Sequence, residues 1–202
     1  MHGHHDASVA LSSWSIRSLA GLLVEIVSPP ASSVLTVAAG LVREAQQQGE
    51  PCAWISTGES CFFPPDMVRC GVDLARLLVV RVPDVPAAAR SAEYLARSSG
   101  FGLIVADFTA GTAREVDYRF AGRVVRLART NNTAVVCLTG EACLGSLVAV
   151  RAEARRERAA GRNGVEDVSE GAFRTVLQVT KDRRYGPGTV LTETRYAPDG
   201  VR

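Results

Sequence analysis

At 202 residues, 47% apolar and 22% charged, the chain has the length and composition of one soluble globular domain with a sizeable core. Its net charge of +2, made of 12 basic and 13 acidic side chains over residues 1–150 and 11 and 8 over 151–202, is too small to predict strong DNA binding by bulk electrostatics. All three histidines fall within the first five residues, so the body of the chain has none to act as general base for a serine or cysteine nucleophile.

Apolar runs such as 77–82 and 134–138 are far too short to cross a bilayer. The first residues lack the basic start and apolar stretch of a secretory signal, so the expected compartment is the cytoplasm. The five cysteines form no C-x-x-C pair, and Cys52 and Cys137 sit inside strand-like runs, where buried thiols are expected. His2, His4 and His5 lie too near a terminus to fix coordination geometry, so no metal site and no cofactor are expected. The basic side chains are 22 arginines and one lysine, a composition suited to bidentate contacts with carboxylate or phosphate.

Residues 1–12 carry no periodic pattern and read as a disordered N-terminus. Ser13 is placed to cap a short helix over 14–20, and 22–27 reads as a buried strand. After the turn 28–33, apolar residues at 34, 37, 38, 41, 42 and 45 predict a helix to 48, stopped by Gly49. Strands follow at 51–55, 77–82 and 101–106, with a short helix before Gly71 and another from Pro86 to Arg97. Val116, Phe120, Val124 and Leu127 predict a helix over 115–129, and 134–139 reads as a further strand.

These strands are apolar throughout and alternate with helices, the pattern of a mainly parallel twisted sheet with helices on both faces. From 147 the pattern changes to alternation over 147–154 and 175–180, predicting antiparallel strands at the C-terminal edge, joined by a polar turn or loop over 157–170. The expected organisation is a disordered N-terminus at 1–12, an α/β core at 13–184 and a Gly/Pro-containing segment at 185–202.

Several segments in order resemble the core of the RecA recombinase family across roughly 21–190. Residues 21–33 resemble its first strand and phosphate loop, Cys52-Ala53-Trp54-Ile55 its second strand, and 71–78 a further RecA segment. Leu103-Ile104-Val105-Ala106-Asp107 resembles the Walker B strand, and 150–156 a late sheet strand. The resemblance implies a RecA-like core. At the implied phosphate loop, Ser28 and Ser33 stand where the family has glycines, Val34 where it has lysine, and Leu35 where it has the magnesium-binding hydroxyl. Glycine lets main-chain amides curl round phosphate, lysine neutralises β/γ charge and the hydroxyl orients magnesium, so ATP hydrolysis is not expected here. Asp107 remains at the Walker B position, as a magnesium ligand or as a retained acid capping neighbouring amides. Glu59 corresponds to the catalytic glutamate only with a one-residue insertion; otherwise Gly58 does. Gly140 stands at the nucleotide-sensing glutamine, and both DNA-binding loops are shortened, the first to about 108–114.

A RecA-like chain without this chemistry is similar to the ImuA proteins of SOS-induced mutagenic repair and, more distantly, to SulA-type cell-division inhibitors. The first implies a non-catalytic adaptor in translesion synthesis with an ImuB-like polymerase homologue as partner, RecA and a DnaE-type polymerase as further partners, and direct DNA contact left open. The second implies binding to FtsZ. A RecA paralogue with residual nucleotide or DNA binding is the third reading, which Asp107 and the arginines favour.

The candidate interaction surfaces are basic. Arg119, Arg123, Arg126 and Arg129 are spaced as a stripe on the helix after Asp107, either a solvated face or a dock for an acidic patch or DNA backbone. Arg151, Arg155, Arg156 and Arg158, interrupted by Glu153 and Glu157, suit a salt-bridged surface or a protein interface. Lys181 and Arg183 resemble the paired lysines that RecA subunits extend toward a neighbour's nucleotide. Residues 185–202, with strand-like 190–192 and Tyr196, form a candidate tether for the ImuB-like partner.

Overall fold

The computed structural model describes residues 14–58, 60, 62–111, 115–117, 119–158 and 172–196. The expected disordered N-terminus, the histidines, Ser13, Glu59, most of the 157–170 loop and 197–202 lie outside that set.

A short helix α1 (Ile16–Leu19) leads into β1 (Leu23–Val27). Its cap is Ser15 rather than Ser13: Ser15 and Ser18 exchange hydrogen bonds in a capping box that satisfies two helix-end amides. Next come α2 (Val34–Gln47), β2 (Cys52–Thr57), α3 (Pro64–Arg69) and β3 (Leu77–Val82). They are followed by α4 (Val85–Arg97), β4 (Leu103–Phe108), α5 (Phe120–Asn131) and β5 (Ala134–Thr139). The chain then runs through a 3-10 turn (Gly145–Leu147) into β6 (Val150–Arg158), β7 (Ala172–Asp182) and β8 (Val190–Tyr196).

The strands make one eight-stranded sheet in the order β3-β2-β4-β5-β1-β6-β7-β8. Pairings from β3 through to β6 are parallel, whereas β6–β7 and β7–β8 are antiparallel. Because successive residues of a strand point to opposite faces, the central strands feed two cores. Val24, Ile26 and Trp54 pack with α1, α2 and α3 on one face. Leu23, Ala53 and Ile55 pack with α4 and α5 on the other. The expected α/β class, with a mainly parallel sheet and antiparallel C-terminal edge strands, is the one observed.

Three further expectations change. Helix α5 starts at Phe120, not 115, because the Asp117 carboxylate accepts from the Arg119 amide and the Asp117 carbonyl from the Phe120 amide, closing a turn there. Strand β3 is not buried but forms the sheet's edge, with Leu78 45% exposed. Within the expected tail, 190–196 is not a free segment: β8 pairs with β7 from Val190 to Tyr196, and the amide of Val179 donates to the carbonyl of Thr189.

Candidate functional site

The carboxyl ends of parallel strands are where α/β sheets hold ligands, so the turn from β1 to α2 is the first place to account for amides. Ser28 N–H donates to Thr139 O at 2.8 Å and Ser33 N–H to Ala154 O at 3.0 Å. Val34 N–H donates to Ser32 Oγ at 3.2 Å, and Pro29 and Pro30 have no N–H to give. The turn is further stitched to β6, because Arg156 N–H donates to Ala31 O and Ser32 bridges Arg155. Ala31 takes a left-handed φ of 60°, which is uncommon for a residue with a Cβ and bends the chain onto that strand. Ser33 occupies the N-cap of α2 without capping it, and its buried Oγ has no partner.

Beside this turn lies a cleft of about 490 Å³ walled by Val34, Leu35, Trp54, Phe62, Phe63 and Met67. Ser32, Ser33, Thr36 and Thr109 also line it, and no lysine or arginine does so among the described residues. Among the described residues Asp66 is its one carboxylate, 4.0 Å from Arg69. The rings of Trp54 and Phe62 lie 5.3 Å apart, and the buried Trp54 Nε1 has no acceptor. The lining of the cleft is mainly apolar.

Asp107, the penultimate residue of β4, has no solvent exposure. Its Oδ1 accepts from Thr109 N at 3.0 Å and Thr109 Oγ1 at 2.6 Å, the capping arrangement expected of a retained acid, while Oδ2 has no partner. Among the described residues no group of three or more His, Cys, Asp or Glu side chains converges as a metal centre. Burial pushes the Cys52 thiol up to about 11 and that of Cys143 up to about 12, and raises Cys137 well above its ordinary value.

The arginine stripe does not form as spaced. Arg119 is the N-cap of α5 rather than part of its face. Arg123 is engaged by Glu93 at 2.6 Å and Asp117 at 3.2 Å, ties that join α5 to α4 and to the preceding turn. Arg126 and Arg129 are exposed. In the second group, Arg155 pairs with Glu157 at 3.0 Å, and the Arg156 guanidinium lies 4.1 Å from the Phe173 ring centre. Arg158 ends β6 exposed. Lys181 and Arg183 are brought together, both donating to the carbonyl of Ser146.

One residue was missed by the sequence reading. Glu25, fully buried in β1, accepts from the amides of Cys143 at 2.8 Å and Leu144 at 3.1 Å and pairs with Arg151 at 2.6 Å. Arg151 is therefore bound inward and is not a free surface cation. The available signal was a single acid inside the otherwise apolar run 22–27, which has to find a partner when buried.

No protein-family model matches the chain. It is 38% identical over 90 residues to Protein RecA of Chloroflexus aurantiacus, a stretch covering 45% of this chain and 25% of that relative. Against Protein RecA of Ruminococcus albus the identity is 34% over 123 residues, covering 59% of this chain and 31% of the relative. Protein RecA of Rickettsia conorii is 32% identical over 90 residues, covering 45% and 26%. The chain thus spans between about a quarter and a third of the length of the curated relatives it matches. Homology to RecA over about half of its residues, together with a mostly parallel sheet edged by antiparallel strands, supports a RecA-like core for this chain.

Proposed function

We propose that this chain is a non-catalytic RecA-like protein that works by binding other proteins, as an adaptor of SOS-induced translesion DNA synthesis in the manner of the ImuA proteins. Its direct partner is an ImuB-like polymerase homologue, with RecA and a DnaE-type polymerase as further members of the assembly. The observation that carries this reading is the state of the β1–α2 turn. A triphosphate there would meet amides already committed to Thr139, Ala154 and Ser32, two prolines, and the apolar Val34 and Leu35. Phosphoryl transfer depends almost wholly on positioning and charge stabilisation; here three of the turn's amides are committed elsewhere, and among the described residues no lysine or arginine lines the cleft. What remains is a rigid scaffold whose surface carries the function.

The unpartnered Oδ2 of Asp107 favours a second reading, a RecA paralogue that still holds a nucleotide–magnesium pair. Calorimetric titrations with purified ImuB-like protein, RecA and FtsZ, each with and without MgATP, separate the possibilities. The adaptor reading expects binding to the ImuB-like protein that ATP leaves unchanged. Binding to FtsZ alone, or partner binding that requires ATP, would overturn it.

A further inference from the structure

The turn after β5 is fixed from inside by a buried carboxylate and surrounded by cations. Glu25 holds the amides of Cys143 and Leu144 together with Arg151 Nε, and Arg151 Nη2 in turn donates to Gly145 O at 3.0 Å. Lys181 Nζ donates to Ser146 O at 2.7 Å, and Arg183 Nη2 donates to the same oxygen. Two side-chain cations on one carbonyl are an incomplete arrangement, because the carbonyl offsets only part of one charge while the cations repel each other. Lys181 shows this: burial first, then Arg183 and Arg151, lower its pKa against the pull of Glu25.

The nearby carboxylates do not complete the balance. Asp182, between the two cations on the chain, is taken by Arg184 at 2.8 Å. Glu25 is taken by Arg151, and Glu141 is exposed at the start of the turn. Adjoining Ser146, Leu147 is 44% exposed. On its other side is Gly122 of α5, where an added Cβ would lie 3.7 Å from Leu147 Cδ1, and Arg126 stands exposed one turn farther along that helix.

We propose that this turn is a docking point for a partner protein segment that places a carboxylate between Lys181 and Arg183 and an apolar side chain against Leu147. The surface is preorganised, since its turn is held by a buried charge and orders little further on binding. A protein carboxylate fits better than a nucleic-acid backbone, because an exposed leucine sits among the cations and so compact a group cannot track successive phosphates. The site stands independently of the translesion reading, as it specifies the chemistry of a partner and not its identity.

The test is a titration of ¹⁵N-labelled protein with a blocked pentapeptide alternating aspartate and leucine, followed by amide shifts. Shifts are expected at Ser146, Leu147 and 181–183, weakened at least about tenfold in the K181E/R183E variant and about fivefold in Leu147→Ser. The same peptide with lysine in place of aspartate should shift none of them. Absence of shifts at those amides, or unchanged binding in a folded K181E/R183E protein, would overturn the proposal. So would stronger perturbation of the same amides by a single-stranded oligonucleotide or by inorganic triphosphate.

Discussion

Glu25 Oε2 lies 2.6 Å from Arg151 Nε, and among the described residues this is the one ion pair with a wholly buried carboxylate. Removing one partner of such a pair strands the other charge in a poorly solvated place. Arg151→Met is therefore expected to lower the unfolding free energy by about 2–3 kcal/mol in urea titrations, the partial exposure of Arg151 keeping it at the low end. A change below about 0.5 kcal/mol would mean that the pair does not hold the turn.

The arginines of α5 divide by partner. Arg123 links Glu93 and Asp117, so Arg123→Ala should lower stability and loosen the contact between α4 and α5. Exposed Arg126 and Arg129, replaced singly by alanine, should leave the unfolding free energy within about 0.5 kcal/mol. Urea denaturation of the three variants side by side checks this ordering.

Acid sensitivity should trace in part to Asp182. Burial pushes its carboxyl up, but the Arg184 side chain and the amides of Arg184 and Tyr185 pull it to a net value below the ordinary carboxylate range. A folded-state pKa below the unfolded one gives stability that is present above the unfolded value and is lost as pH falls through the folded value. Asp117, held down first by the Arg119 amide and then by Arg123, acts in the same direction. Thermal melts across the acidic range should show a shallower loss of stability for Asp182→Asn than for the parent protein. A slope identical in both proteins would remove Asp182 from the account.

Restoring the missing side chains alone should not restore a nucleotide site. In a Val34→Lys, Leu35→Thr double variant the Ser28 and Ser33 amides remain committed to Thr139 and Ala154, and the prolines remain without N–H groups. Titration with a fluorescent ATP analogue should show no saturable binding, with circular dichroism confirming that the variant is folded. Micromolar binding would mean that the two side chains, and not the turn, are the deficit.

The parts of the fold legible in the sequence were those in which one periodicity dominates. Continuous apolar runs marked β1, β2, β4 and β5, and the helical spacing from Val34 with Gly49 beyond it bounded α2. Errors arose where local hydrogen bonding competes with pattern. The spacing of Val116 and Phe120 suggested a continuous helix, but Asp117 closes a turn between them. Strand β3 reads as buried because Leu77 and Val79 reach the core, although the strand's place at the edge leaves Leu78 open. At the candidate site the sequence identified Ser28, Ser33, Val34, Leu35 and Asp107. It did not reveal that the Ser28 and Ser33 amides are taken, because their acceptors lie more than a hundred residues away on β5 and β6. Glu25 stayed hidden for the same reason, its partners being a distant turn and a distant arginine.

The most direct measurement is a calorimetric titration of MgATP into the purified chain. The account predicts no heat of binding beyond dilution and no phosphate release, because the Ser28, Ser33 and Val34 amides are committed and, among the described residues, no lysine or arginine lines the cleft. Saturable binding in the micromolar range, abolished by Asp107→Asn, would contradict it and restore nucleotide to the centre of this protein's function.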